Sequence, residues 1–559
     1  MPTVTATSTP PAVVSLSRTA SGAPLPPVSR RFSRSVGSSE RWWGWLGPLA
    51  VAALALVLRL WRLGEPDEIT FDETYYAKDA YSLSQHGYVR EFVEDADDDV
   101  NAGRLDGVFA DGPAHIVHPE VGKWMLAAGI RLFGMDPFGW RVAAAVAGAV
   151  TVLVLARLTR RLSGSTLVGC LAGLLLALDG LHLVMSRTAL LDVFVALWIV
   201  CAVACLVADR DWGRRRLLRL HEQTGHLPGA PVTGFGPVRG MLLRPWRLGA
   251  GVCFGLACGS KWNAVWVLAA FGLLCWAWDA GARRALGVSW AWARAAVVDA
   301  APALGSLVGV AFVVYAASWS GWLVHHDVMQ DAYAESYAWG DYTTQEPVSA
   351  LGETTQALRD LWHYHGQMWQ FHTVDVVRTT SDDPHPYQSH PRGWLLLNRP
   401  VGIDMQPDIQ PGQQGCPAVE GSTCLRQVPA LGNPVIWWAG AAGLLAAAWA
   451  WVARRDWRYG VPVVGVAATW LPWFGYAERS IFLFYAVAII PFTCMALALL
   501  LGRVLGPAAR RERRRVGAFV VAVVLLASIA ATAFFWPIWT DALITSEQWE
   551  RRMWIDRWV

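Results

Sequence analysis

The chain has 559 residues, 54% of them hydrophobic and only 16% charged, with a net charge of +3; a soluble globular chain carries about 25% charged residues. The apolar residues arrive in repeated blocks of about 17–22, the length that crosses a bilayer. A soluble enzyme, a secreted repeat protein and a disordered scaffold are excluded, and the composition is that of an all-α polytopic membrane protein.

Residues 1–40 are rich in Ser, Thr, Pro and Arg and poor in apolar side chains, so they read as a disordered cytoplasmic tail rather than a cleavable signal peptide. Apolar spans follow near 43–60, 139–157, 165–181, 188–207, 248–260, 262–278, 298–316, 434–453, 460–475, 481–501 and 516–535. The stretch 248–278 is divided at Ser260–Lys261, because one continuous helix would be about 46 Å long, well beyond the hydrocarbon core. With eleven spans and a cytoplasmic N terminus, the Arg-rich connections Arg157–Arg161, Arg210–Arg219, Arg239–Arg247, Arg283–Arg294, Arg454–Arg458 and Arg503–Arg515 all fall inside, as the positive-inside rule requires. The resulting organisation is a core, 41–316, holding spans one to seven and a first external loop at 61–138. A second external loop follows at 317–433, then spans eight to eleven within 434–535 and an external tail at 536–559.

The first loop opens Ile69-Thr70-Phe71-Asp72-Glu73-Thr74-Tyr75-Tyr76-Ala77-Lys78-Asp79. Thr70 and Glu73 match a capping box that would start a short interfacial helix, while Asp72, one residue away, is a candidate general base. His118-Pro119-Glu120-Val121-Gly122-Lys123 follows. Pro119 suits a first helical turn, but Lys123 gains little from the dipole at that end. Span two opens with Trp140-Arg141, where a snorkelling anchor is the bland alternative to a ligand. Span four begins Ser186-Arg187-Thr188-Ala189-Leu190-Leu191-Asp192; Asp192 lies inside the apolar segment, where an ionisable group needs a partner, and Arg187 is the nearest candidate. Gly259-Ser260-Lys261-Trp262-Asn263 forms the outer turn between spans five and six, and Glu478-Arg479-Ser480 brings a further arginine to the outer mouth of span ten.

Each of these signals has a structural explanation of its own. Together, Lys123, Arg141, Arg187, Lys261 and Arg479 map to the outer boundary beside Asp72, where few cations are expected. A cluster of cations with a carboxylate base suits a lipid-linked phosphate. Of 47 basic residues only Lys78, Lys123 and Lys261 are lysines, in a composition otherwise reflecting a GC-rich bacterial bias. A lysine supplies a compact point charge that arginine does not replace.

The strings FDETYYAKDAYSL, HPEVGKW, WRVAAAV, SRTALLD, GSKWNAVW and HPYQSHPRGWLLLNRPV, in that order from span one through span ten, resemble the protein O-mannosyltransferase family, its actinobacterial members above all. The resemblance implies a GT-C glycosyltransferase fold with about eleven transmembrane helices and two long extracytoplasmic loops. It implies mannose transfer from a polyprenyl-phosphate mannose donor to Ser or Thr hydroxyls of exported proteins, with inversion. Asp72 matches the family's presumed base and Glu73 its acidic neighbour, as orienter of the acceptor or helix cap. Arg141 and Lys261 match donor-binding positions. Lys123, Arg187 and Arg479 are added to the donor phosphate set from their local strings. His385, Tyr387 and Arg399 match the family's loop motif, an acceptor or loop site. Eukaryotic relatives insert a β-trefoil module in the second loop; here about 115 residues hold none. A bacterial plasma membrane, an extracytoplasmic active site and partnership with the Sec export machinery are further expectations, and no nucleic acid is expected.

The remaining polar residues add less. Cys416 and Cys424, in a Gly/Pro-rich stretch on the oxidising side, are expected to form a disulfide. His363, His365, His372, His385 and His390 lack the spacing and carboxylate framework of a zinc helix. Hydrogen bonding to sugar or acceptor is therefore preferred to a metal, and no cofactor is assigned, a divalent cation being the alternative. The rival functions are a GT-C transferase of another polyprenyl-phosphate-linked sugar (arabinose or aminoarabinose) and a lipid flippase or transporter. The latter calls for mid-membrane charges and paired repeats, and neither is visible.

Overall fold

A computed structural model describes residues 42–223, 232, 234–336, 350–377, 385–506 and 510–558; the 1–40 tail lies outside the described residues. Every apolar stretch is helical: α1 Trp43–Leu60, then, beyond the first loop with its helices α2 Glu73–His86 and α3 Val121–Phe133, α4 Pro137–Ser163, α5 Thr166–Ala177, α6 Asp192–Gln223, α7 Pro245–Ser260 and α8 Ala264–Ala285. α9 Ala291–Ser318 follows, with α10 Ala350–Gln370 in the second loop. The last four are α11 Pro434–Val452, α12 Trp457–Trp470, α13 Ile490–Leu505 and α14 Arg511–Trp539. Among the described residues six of them (α4, α6, α8, α9, α11 and α14) are long and apolar enough to cross a membrane, and Gly44–Leu60, α5 and α13 are shorter apolar helices. α7 has 16 residues, about 24 Å at 1.5 Å per residue, short of the roughly 30 Å core.

Helix ends follow local chemistry. Asp136 accepts from Gly139 N at 2.7 Å with Pro137 in the first turn of α4. Ser165 caps α5 through Val168 N, and Asn433 caps α11 through Val435 N and Ile436 N, again before a proline. Each supplies an acceptor to an otherwise orphaned N–H.

The division at Ser260–Lys261 is a true reversal. α7 and α8 meet again at their other ends, where Arg244 and Arg247 share Asp209 and Asp279 at 2.7–3.0 Å. α7 packs on α6 and on α9. Gly251, Gly255 and Gly259 make the latter contact: a Cβ on Gly251 would lie 2.1 Å from Ser306 O, and one on Gly255 2.7 Å from Ala311 O. Small residues four apart let the backbones approach, which is how helices associate where the solvent is itself apolar.

The described strands lie in the two loops and the C-terminal tail. β1 Arg90–Phe92 and β2 Phe109–Pro113 pair antiparallel in the first loop. In the second, β3 Gly402–Ile409 pairs with β4 Cys424–Pro429, and the C-terminal tail adds β5 Ile544–Thr545 with Cys424 opposite Thr545. Cys416 and Cys424 are disulfide-bonded, their Cα atoms 5.8 Å apart. Trp558 Nε1 donates to Leu397 O at 2.6 Å, so the tail is stitched to the second loop.

Candidate functional site

α2 begins two residues after Phe71, whose φ of +49° is uncommon for a bulky residue. The ring is held edge-on between Phe482 and Phe484, at 6.5 and 5.8 Å, and this packing sets the direction in which Asp72 leaves the backbone. Asp72 is half-buried, and its carboxylate makes no hydrogen bond or ion pair with any described residue. Desolvation pushes it up to about 6, opposed by the Lys261 ammonium and aided by the Asp192 carboxylate. A carboxylate left without donors, near a cation, is suited to taking a proton at neutral pH.

Glu73 is different. It is fully buried and takes Arg141 Nε and Nη2 on its two oxygens at 2.8 and 2.7 Å. It also accepts from Thr70 N (3.2 Å), Thr70 Oγ1 (3.1 Å) and Ala189 N (2.8 Å). The capping box is thus half formed: the Thr70 hydroxyl donates to the carboxylate rather than accepting from the helix, whose N-cap position is Asp72. Glu73 has no capacity left to orient an acceptor.

Arg141 is equally committed. Besides Glu73 it donates to the carbonyls of Leu63, Pro66 and Glu68, and it is fully buried. Arg187 donates to the carbonyls of Arg59, Trp61 and Arg62, not to Asp192. Lys123 pairs with Asp79 at 2.8 Å and is the third residue of α3, whose N-cap is Glu120, Pro119 preceding the helix. These three cations, expected at a phosphate, are instead engaged within the protein: Arg141 and Arg187 tie the spans to the first loop and its entry, and Lys123 joins two helices inside the loop; span depth carries no information about partners.

Lys261 and Arg479 do meet. They line one cavity with His118, Trp262, Asn263, His372, Trp369, Trp473 and Tyr485. Lys261 Nζ is 2.9 Å from Asp192 and 4.6 Å from the centre of the Tyr485 ring. Asp192, the first residue of α6, thus has its partner on the next reversal rather than in its own segment. Arg479 donates to His372 O at 3.0 Å, while its Nε, like Asn263 Oδ1, is buried without a partner. Both residues line the cavity, and buried polar atoms are ordinarily hydrogen-bonded. The His372 and His118 rings stack at 5.0 Å. His372 Nε2 donates to Val117 O at 2.8 Å, which leaves Nδ1 as acceptor toward Arg479 Nη1 at 3.4 Å. Burial, followed by neighbouring cations, lowers His118 well below the usual imidazole range, and burial takes His372 to about 4. Both rings are neutral at pH 7, so Lys261 and Arg479 are the cavity's cations among the described residues. Val265 and Trp266, also in its wall, are exposed on the apolar outer face of α8.

The loop motif lies beside this cavity rather than in its wall. His385 packs its ring against Phe482 at 5.1 Å, and Arg399 donates to Pro386 O (2.8 Å) and Arg557 O (3.0 Å) beside the Tyr387 ring. His118, Asp79, Tyr485 and Trp262 escaped the sequence reading as site residues. His118, Asp79 and Trp262 stood in quoted strings and Tyr485 lies five residues beyond Ser480, but periodicity did not distinguish them from packing.

Comparisons bear on this geometry. Residues 131–216 match the family model described as dolichyl-phosphate-mannose-protein mannosyltransferase, and residues 357–558 that of the C-terminal four-span region of protein-O-mannosyltransferase. The chain is 35% identical over 543 residues to the polyprenol-phosphate-mannose–protein mannosyltransferase of Mycobacterium tuberculosis, covering 96% of this chain and 95% of the relative. It is 32% identical over 546 residues to the protein of that name from Corynebacterium glutamicum, covering 96% of each. Among solved structures, the S. cerevisiae protein O-mannosyltransferase Pmt1-Pmt2 complex bound to the sugar donor superposes with a TM-score of 0.64 at 15% identity, covering 98% of this chain and 95% of that one; this likeness is one of fold.

Proposed function

The chain belongs to the protein O-mannosyltransferase family, glycosyltransferases of the GT-C fold that cross the membrane many times, and from that premise we propose how its own residues carry the reaction. Mannose passes from polyprenyl-phosphate mannose to a Ser or Thr hydroxyl of an exported protein. The donor's isoprenoid stays in the bilayer beside the exposed Val265 and Trp266, and its phosphate reaches Lys261 and Arg479 in the cavity wall. The acceptor oxygen attacks the anomeric carbon from the opposite face, its proton goes to Asp72, and the C–O bond to phosphate breaks with inversion. The leaving phosphate is a weak base, so it needs cations rather than an acid, and fixed cations in a desolvated site stabilise its growing charge.

The other residues position these. Asp192 fixes the Lys261 ammonium, and Glu73, clamped by Arg141, anchors the start of α2 and hence Asp72. Arg187 and Lys123 hold the loop. The observation that carries the reading is the unpaired Asp72 carboxylate within the field of the cavity lysine.

The site faces outward from a bacterial plasma membrane, with the N terminus cytoplasmic and eleven crossings. Exported chains as acceptors make association with the Sec export machinery a corollary. Purified protein in proteoliposomes should mannosylate a Ser/Thr/Pro-rich peptide from polyprenyl-phosphate mannose. It should leave the same peptide unmodified when given a polyprenyl-phosphate aminoarabinose donor, or when its Ser and Thr are replaced by Ala. Transfer from the second donor, or to lipid alone, would overturn the mannose and protein assignments respectively.

A further inference from the structure

α10, in the second external loop, has three faces. Leu361, Tyr364 and Met368 are buried against Trp319 and Trp322, Ala357 is buried on the same face, and Tyr364 Oη bonds the backbone of Ile116 at 2.7 and 3.1 Å. Arg359, His363 and Gln370 form a polar face. Between these lies a third stripe that is exposed among the described residues: Leu358, Trp362 and Trp369 are 53%, 81% and 56% exposed. At 100° per residue these three fall within about 40° of one another, and roughly 100° from the polar face.

The depth of the helix is set by its neighbours. His365 Nε2 and Tyr315 Oη are 2.7 Å apart, and Trp262 Nε1 donates to the same oxygen at 2.8 Å. Tyr315 is in the last turn of α9 and Trp262 in the reversal between α7 and α8, so α10 lies at the level where the apolar helices end. Trp369, at one end of the exposed stripe, lines the same cavity as the exposed Val265 and Trp266 of α8. A helix with one face on the protein, one apolar and aromatic and one polar, at that depth, has the form of an interfacial element.

We propose that α10 is seated in the outer leaflet, with Leu358, Trp362 and Trp369 inserted among phospholipid headgroups and upper acyl chains. Trp369 also lines the cavity and His372 follows two residues after the helix, so the lipid seat steadies that wall. This inference needs only the membrane, not the transferase reading.

A photo-cross-linking amino acid placed singly at Leu358, Trp362 or Gln370 in the full chain, reconstituted in phosphatidylethanolamine/phosphatidylglycerol vesicles, tests it by mass spectrometry of the adducts. Each variant is first shown to be monodisperse. Phospholipid adducts at 358 and 362, lost at 370, are expected. Adducts at 362 to a second copy or another protein would overturn the proposal, as would no lipid adduct there or equal labelling at 370.

Discussion

The three lysines show how a residue's chemistry is settled by what it meets. Lys78 pairs with Asp97 and Lys123 with Asp79, each at 2.8 Å, and Lys261 with Asp192 at 2.9 Å. Only Lys261 lines the cavity, so the retention of lysine in an arginine-rich chain marks three ion pairs rather than one phosphate site. Asp72 is the carboxylate left over. With its carboxyl at about 6, the base is protonated and inactive below that value and free above it. The rate of transfer at saturating donor should therefore rise through about pH 6 and level off beyond it; an acid limb near pH 4 in the pH profile would remove Asp72 from that role. Glu73 and Arg141 make the contrast. Removing one partner of a fully buried pair costs about 3–5 kcal/mol, and lysine lacks the fork that spans both oxygens. Glu73→Gln and Arg141→Lys should each lower the thermal unfolding temperature in detergent as well as turnover, whereas Asp72→Asn should leave that temperature in place.

Among the elements, the reversal at Ser260–Lys261 was legible because bilayer thickness limits helix length and because a merged 248–278 span would put the later Arg-rich connections outside. The GxxxGxxxG face of α7 is the tertiary counterpart, since a side chain at Gly255 would collide with the α9 backbone. Gly255→Val should separate α7 from α9 and lower thermal stability; an unchanged unfolding temperature would mean that the two helices do not rely on this close approach. What could not be read were the partners of Arg141 and Arg187. A span boundary gives a residue's depth, but a guanidinium that ends on backbone carbonyls 70 to 130 positions away leaves no trace in local periodicity. The pairing of β5 with β4 escaped for the same reason, as two residues of tail carry no strand signal without their neighbour.

At the scale of the whole molecule, charge is placed at two levels. In the proposed topology Lys261–Asp192 closes the outer end of α6–α8, and Asp209, Arg244, Arg247 and Asp279 close the inner end. Asp192 and Asp209 are separated by about 25 Å along α6. Asp279→Asn, which leaves two arginines sharing one carboxylate, is therefore expected to lower thermal stability while the donor KM stays unchanged; a raised KM would show that the inner cluster communicates with the cavity. The central claim concerns the outer level: one cavity holds the donor phosphate on Lys261 and Arg479 while Asp72 takes the acceptor proton. Single-turnover transfer by wild type and Asp72→Asn in proteoliposomes, with donor binding measured on the same samples, tests it most directly. Binding should be retained and transfer should fall by about a hundredfold or more, the scale of a lost general base. Transfer at the wild-type rate by the Asn variant would contradict the account.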